Sequence, residues 1–139
     1  QDTSIEILNF LRRLIQPMEI ASSLRQVKEE HLPEDQREKV WFKGSGGTDL
    51  FLWKNQDQKL EAWQFFHGDE FAEWSQAEGL FTGRKAKVLL SSNNTSMSNP
   101  EGVTVRDSTI DGHLKQFCLD LFSAFDSEYK EELLESLAG

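Results

Sequence analysis

The sequence is poor in the residues that staple, ligate or anchor a protein. It holds one cysteine, Cys118, which excludes an internal disulfide and a thiolate metal cluster. Its three histidines, His31, His67 and His113, stand far apart. None belongs to a His-Glu-x-x-His or paired His/Cys spacing, so a zinc site would need unrelated segments to converge, and no metal or other cofactor is expected. No apolar run approaches the roughly 20 residues of a membrane helix, so no bilayer span is expected. The Ile5 to Ile15 segment has charges inside it and lacks the basic-then-apolar layout of a secretory signal. With a lone cysteine, a reducing cytoplasm is the simpler location. Positive charge is also scarce: 15 basic against 24 acidic side chains leave a net charge of −9. Such a surface repels phosphate backbones and anionic lipid, so neither nucleic acid nor a membrane is an expected partner.

Several catalytic patterns are missing as well. No Gly-x-Ser-x-Gly elbow occurs, which removes that class of serine hydrolase. Gly44, Gly46 and Gly47 follow a strand-like run, but no Lys-Ser/Thr comes after them and no helix opens, so they read as a connector and not as a phosphate loop. Cys118 falls on the apolar stripe of an acidic helix, where a thiol packs as a small hydrophobe and does not serve as a nucleophile. Asn93 and Asn94 each begin an Asn-x-Ser/Thr triplet, a coincidence in a Ser/Asn-rich stretch.

What the chain does have is a tryptophan-rich middle. At 139 residues it fits a single domain, 1–139, and all four tryptophans, Trp41, Trp53, Trp63 and Trp74, fall between residues 41 and 87. Aromatic and branched residues there come in short runs separated by Asn, Asp, Gly and Gln, the pattern of antiparallel strands. Before them, Ile5, Leu8, Leu11 and Ile15 recur at helical spacing, and Pro17 predicts a stop or kink. Ile20, Leu24 and Val27 then suggest a second helix to about His31. Leu32 to Arg37 reads as a short turn before a first strand at Val40 to Lys43. After the meander, Leu80 to Gly83 and Lys87 to Leu90 read as further strand, Ser91 to Gly102 as a surface loop, and Val103 to Val105 as an edge strand. From Ser108, Thr109 or Asp111 as N-cap, one long helix is expected to about Leu137. From Asp107 onward eight acidic residues face two basic ones, so this end has an acidic outer surface.

The strands permit a register argument. A loop at Asn55 to Gln58 would pair Trp53 with Leu60, Phe51 with Ala62 and Asp49 with Gln64. A two-residue turn at Gly68-Asp69 would pair Phe66 with Phe71, Gln64 with Glu73 and Trp63 with Trp74. One face then collects Leu50, Leu52, Trp63, Phe65, Ala72 and Trp74 and must lie against helices. The other carries Phe51, Trp53, Leu60, Ala62, Phe66 and Phe71, crossed by a polar row of Asp49, Gln64 and Glu73. Two carboxylates bracketing an amide among aromatics could hold a cation or a hydroxylated or amine ligand, or tune one acid for proton transfer. The plainer account of the same row is cross-strand hydrogen bonding on a partly wet sheet face.

At these strands the chain resembles small uncharacterised bacterial proteins. The matching residues are Trp41-Phe42, Asp49-Leu50-Phe51-Leu52-Trp53, Trp63-Gln64-Phe65, Trp74, Gly79-Leu80 and Gly83. The resemblance implies a compact bacterial domain and brings no activity, cofactor or catalytic residue with it. The expected fold is α+β: a four- to five-stranded antiparallel meander with N-terminal and C-terminal helices packed mainly on one face. The expected function is non-enzymatic binding of a protein partner, or pairing with a second copy, through the aromatic face or the acidic last helix. The candidate contact residues are Asp49, Phe51, Trp53, Gln64, Phe66, Phe71 and Glu73. The alternative is a small-molecule-binding protein or enzyme that uses Asp49, Gln64 and Glu73.

Overall fold

Period-two alternation builds the sheet. Between Thr48 and Lys54, alternate residues are buried while Asp49, Phe51 and Trp53 keep partial exposure, as in a strand packed on one side and open on the other. The computed structural model describes residues 3–32, 36–86 and 103–138. A helix α1 (Thr3–Ser23) leads into strands β1 (Arg25–Leu32), β2 (Arg37–Gly44), β3 (Thr48–Lys54), β4 (Leu60–His67), β5 (Glu70–Ser75), β6 (Gly79–Ala86) and β7 (Val103–Arg106). Helices α2 (Gly112–Ala124) and α3 (Lys130–Ala138) follow. Among the described residues the strands form one antiparallel sheet in sequential order. That makes seven strands where four or five were expected. Of the turn expected from Leu32 to Arg37, Leu32 ends β1 and Arg37 opens β2, while residues 33–35 and the expectations for 87–102, including Asn93 and Asn94, lie outside the described residues.

The extra strands come from pairing that local pattern does not reveal. The segment after Leu24, read as helix, is β1, which hydrogen-bonds β2 along its length although nearly all its side chains are exposed. Helix α1 runs through Pro17 instead of ending before it. Pro17 is itself buried with Ile20 and Ala21, so packing compensates for the lost helix bond, a cost of about 3 kcal/mol. The glycine connector is the tight turn between β2 and β3, in which Gly46 and Gly47 adopt φ of 68° and 69° that other residues rarely take.

The core lies between the sheet and the two C-terminal helices. Val40, Phe42, Leu50, Leu52, Trp63, Phe65 and Ala72 pack with Leu114, Cys118, Leu121 and Phe122 of α2 and with Leu133 and Leu137 of α3. The Trp63 ring meets Phe122 edge-on at 5.1 Å, and its indole N–H donates to Ser136 Oγ at 2.8 Å. Asp111 caps α2 by accepting from the amides of His113 and Leu114. The expected single last helix breaks between α2 and α3. The break turns Phe125 and Tyr129 inward against Phe42, at 5.2 and 6.0 Å.

The second hairpin has the expected register, with Trp63 opposite Trp74 and Gln64 opposite Glu73. The first is displaced by two residues, so Phe51 faces Gln64 and Trp53 faces Ala62. A shift of two preserves the faces. An irregularity at Trp53/Lys54 then brings Leu60 opposite Lys54. Leu60, expected on the open face, is consequently buried in the core.

Candidate functional site

Among the described residues no helix covers the second face of the sheet, and the residues of that face follow from strand alternation. Across the middle, Trp41, Phe51, Gln64, Glu73 and Phe81 stand opposite one another on β2 to β6. On one side of this row run Lys39, Trp53, Ala62 and Ser75. On the other run Lys43, Asp49, Phe66, Phe71, Gly83 and Arg106.

The rings form a connected sheet of their own. Trp41 stacks on Phe51 at 5.6 Å, and Phe51 meets Trp53 at 6.3 Å and the edge of Phe66 at 6.1 Å. Cations lie over them. Lys39 Nζ is 4.8 Å from the Phe51 centroid and 5.4 Å from that of Trp53, Lys85 Nζ is 5.0 Å from Phe66, and the Arg106 guanidinium is 3.8 Å from Phe81. Each such contact contributes about 0.5–1 kcal/mol at an exposed site, and the alkyl stems shield apolar ring surface from water.

The anticipated polar row is divided in two. Asp49 stands opposite Phe66, not Gln64. Its carboxylate accepts from the Trp41 indole N–H at 2.9 Å and lies 3.5 Å from Lys43 Nζ. Glu73 keeps Gln64, whose amide donates to Oε2 at 3.2 Å. Its other oxygen, Oε1, receives Arg106 at 2.9 Å from Nε and 2.7 Å from Nη2. Both carboxylates are therefore held by partners within the chain. Of the candidate residues, Asp49, Phe51, Trp53, Gln64, Phe66 and Glu73 retain partial exposure, while Phe71 is 1% exposed and reachable only if neighbours move. Phe71 rests on Gly83, where a Cβ would come within 2.6 Å of its ring.

Sequence reasoning missed Trp41 and the cations Lys39, Lys43, Lys85 and Arg106. The signal for the β2 residues was present: Arg37, Lys39, Trp41 and Lys43 alternate with Val40 and Phe42 on the buried side. Arg106 offered no such signal, since it reaches Glu73 across a sequence separation of 33.

A shallow depression of about 240 Å³ opens on this face, lined by Arg37, Trp53, Gln64, Glu73, Phe81 and Arg106 among others. Among the described residues no group of three or more His, Cys, Asp and Glu could hold a metal ion, and no helix is long and apolar enough to cross a membrane. Cys118 is fully buried, and burial pushes its thiol far above the ordinary range, which suits packing and opposes nucleophilic use. His67 is stacked on Phe117 at 5.4 Å and shares a hydrogen bond with Thr48 Oγ1 at 3.0 Å, at the end of β4. No family model, curated protein or solved structure matches this chain.

Proposed function

We propose that the protein is a non-enzymatic binding module whose open sheet face receives a segment of another protein bearing carboxylates beside apolar side chains. The observation that carries this reading is the state of two lysines. Lys39 and Lys85 lie on aromatic rings, and neither has an ion pair with a carboxylate among the described residues. An acidic residue of the partner would draw each ammonium from its ring, and the partner's apolar groups would take the ring surface. The net charge of −9 opposes an acidic partner only over distance, because screening at physiological salt falls within about 8 Å while the lysines act at contact. The acidic last helix is the weaker surface, since Glu132 is spent accepting the Leu60 amide at 2.7 Å.

The second reading, a small polar ligand or an enzymatic site at Gln64 and Glu73, has the depression in its favour. Its 240 Å³ falls below the roughly 300–1,000 Å³ of ordinary ligand sites, and Glu73 is already engaged by Gln64 and Arg106. A synthetic peptide alternating Asp with Phe and Leu, titrated while the indole N–H resonances are followed, tests the choice. Shifts at Trp41 and Trp53, weakened roughly tenfold by a Lys39→Ser/Lys85→Ser double substitution, are expected. Binding indifferent to those lysines, or no shift at all, overturns the reading.

A further inference from the structure

The exposed half of α1 has no counterpart among the other described residues. Every residue from Thr3 to Leu11 is exposed, and among the described side chains of the helix Pro17, Ile20 and Ala21, at its far end, are buried in the body. A projecting helix of this length is marginal alone in water. Yet it carries Ile5, Ile7, Leu8, Phe10, Leu11, Ile15 and Met18, each 42–59% exposed. At on the order of 200 Å² for a fully exposed large side chain, they present roughly 700 Å² of surface. The four on one stripe, Leu8, Leu11, Ile15 and Met18, account for roughly 400 Å² of it, the size of the largest apolar patch on a typical monomer, roughly 300–600 Å².

From these features we infer that α1 is a self-association element, pairing antiparallel with α1 of a second copy. Leu8, Leu11, Ile15 and Met18 are spaced three, four and three apart, the spacing of a helix–helix seam. That spacing reads the same in both directions. An antiparallel copy therefore sets Leu8 against Met18 and Leu11 against Ile15 about a two-fold axis near residue 13, a self-complementary interface. Net charge favours the same partner, and the placement of the bodies favours the direction. From Thr3 to Ser23 two glutamates, Glu6 and Glu19, balance two arginines, so this element is neutral on a chain of net charge −9. Each body is attached near residue 20. At a rise of about 1.5 Å per residue, an antiparallel pair holds the two attachment points about 20 Å apart along the axis, beyond the screening length. A parallel pair would bring them within about 10 Å, where two acidic bodies repel.

Light scattering on the whole chain at high micromolar concentration tests this, and the expected mass is twice 16.0 kDa. Leu11→Glu/Ile15→Glu, at exposed positions that leave the core intact, is expected to give a folded species of 16.0 kDa whose tryptophan fluorescence is unchanged and whose helical circular dichroism falls by no more than the projecting turns of α1. A mixture of Leu8→Cys and Met18→Cys chains is expected to form the mixed disulfide in preference to either homodisulfide, with the buried Cys118 silent. A wild-type mass that stays at 16.0 kDa overturns the inference. So does a dimer that survives the two glutamates, or a Leu8→Cys homodisulfide that outcompetes the mixed one. Because the seam lies on α1 and the peptide test reads Trp41 and Trp53, failure of one proposal is distinguishable from failure of the other.

Discussion

The covered and open faces of the sheet are made from neighbouring residues of the same strands, and they protect their aromatic rings by different means. On the covered face Trp63 and Phe65 are wholly buried among helix side chains. Cations are rare there, and Lys54 appears at the margin, held by the Tyr129 hydroxyl at 3.2 Å and by Glu29 and Glu38 at 3.5 and 3.7 Å. On the open face Phe51, Trp53 and Phe66 retain partial exposure, and lysine stems shield them. The first arrangement contributes stability that any solvent condition must overcome. The second is a reversible cover, cheap to lift, and that is what a recognition surface requires.

The comparison can be broken by truncating one ring on each side. Trp63→Ala should cost about 3–5 kcal/mol, since it leaves a cavity beneath α2 and α3 and removes the Ser136 bond. Trp53→Ala should cost only about 1–2 kcal/mol. Urea unfolding of the pair measures both, and equal losses would mean that the open face is a second core. Next in size is Gly83→Ala. Its Cβ would lie 2.2 Å from the Val105 carbonyl oxygen, and backbone cannot swing aside as a side chain can. A loss of about 1–3 kcal/mol is expected, with faster amide exchange along Val103 to Arg106. Unchanged exchange in β7 would show that the strand yields without cost.

The smallest effect concerns Lys54 and is best seen as pH dependence. Burial penalises its charge, but the Tyr129 hydroxyl, Glu29 and Glu38 together outweigh that penalty and raise its pKa above the ordinary 10.5. A folded-state pKa above the unfolded one means that the stabilisation is complete below 10.5 and is lost as pH rises through the higher folded value. Tyr129, raised chiefly by burial, adds to the same alkaline loss. Lys54→Met should therefore flatten the alkaline limb of the stability profile while changing neutral stability by about 1 kcal/mol or less. A limb as steep as that of the parent protein would remove Lys54 from the account.

Much of the central sheet was legible because period two is a strong local signal. The turn at Gly68-Asp69 places Trp63 against Trp74 correctly, and alternation alone picks out the face containing Leu50, Leu52 and Trp63. The two-residue error at Asn55 to Gln58 did no harm to the faces but moved Asp49 away from Gln64. The irregularity at Lys54 also reversed Leu60. Loop residues such as Gln58, with φ of 63°, set these details and have no periodic signature. Segment 25–32 reads as the end of a helix because Ile20, Leu24 and Val27 recur at helical spacing. Only the hydrogen-bonding edge of β2 makes it a strand.

By itself the sequence determined an α+β chain with a tryptophan-rich antiparallel sheet, two unlike sheet faces and an acidic C-terminal end. Each of these follows from composition or from a period of two or about 3.6, properties carried by neighbours in the chain. The tertiary structure alone decided that Asp49 and Glu73 are separately neutralised and that cations lie over the open rings. It also decided that Pro17 is buried inside α1 while Ile5, Ile7, Leu8, Phe10, Leu11 and Ile15 before it face water. Those outcomes depend on contacts between residues far apart in sequence, such as Arg106 with Glu73 and Lys54 with Tyr129. The energies that select such contacts exist only once the backbone has brought the partners together.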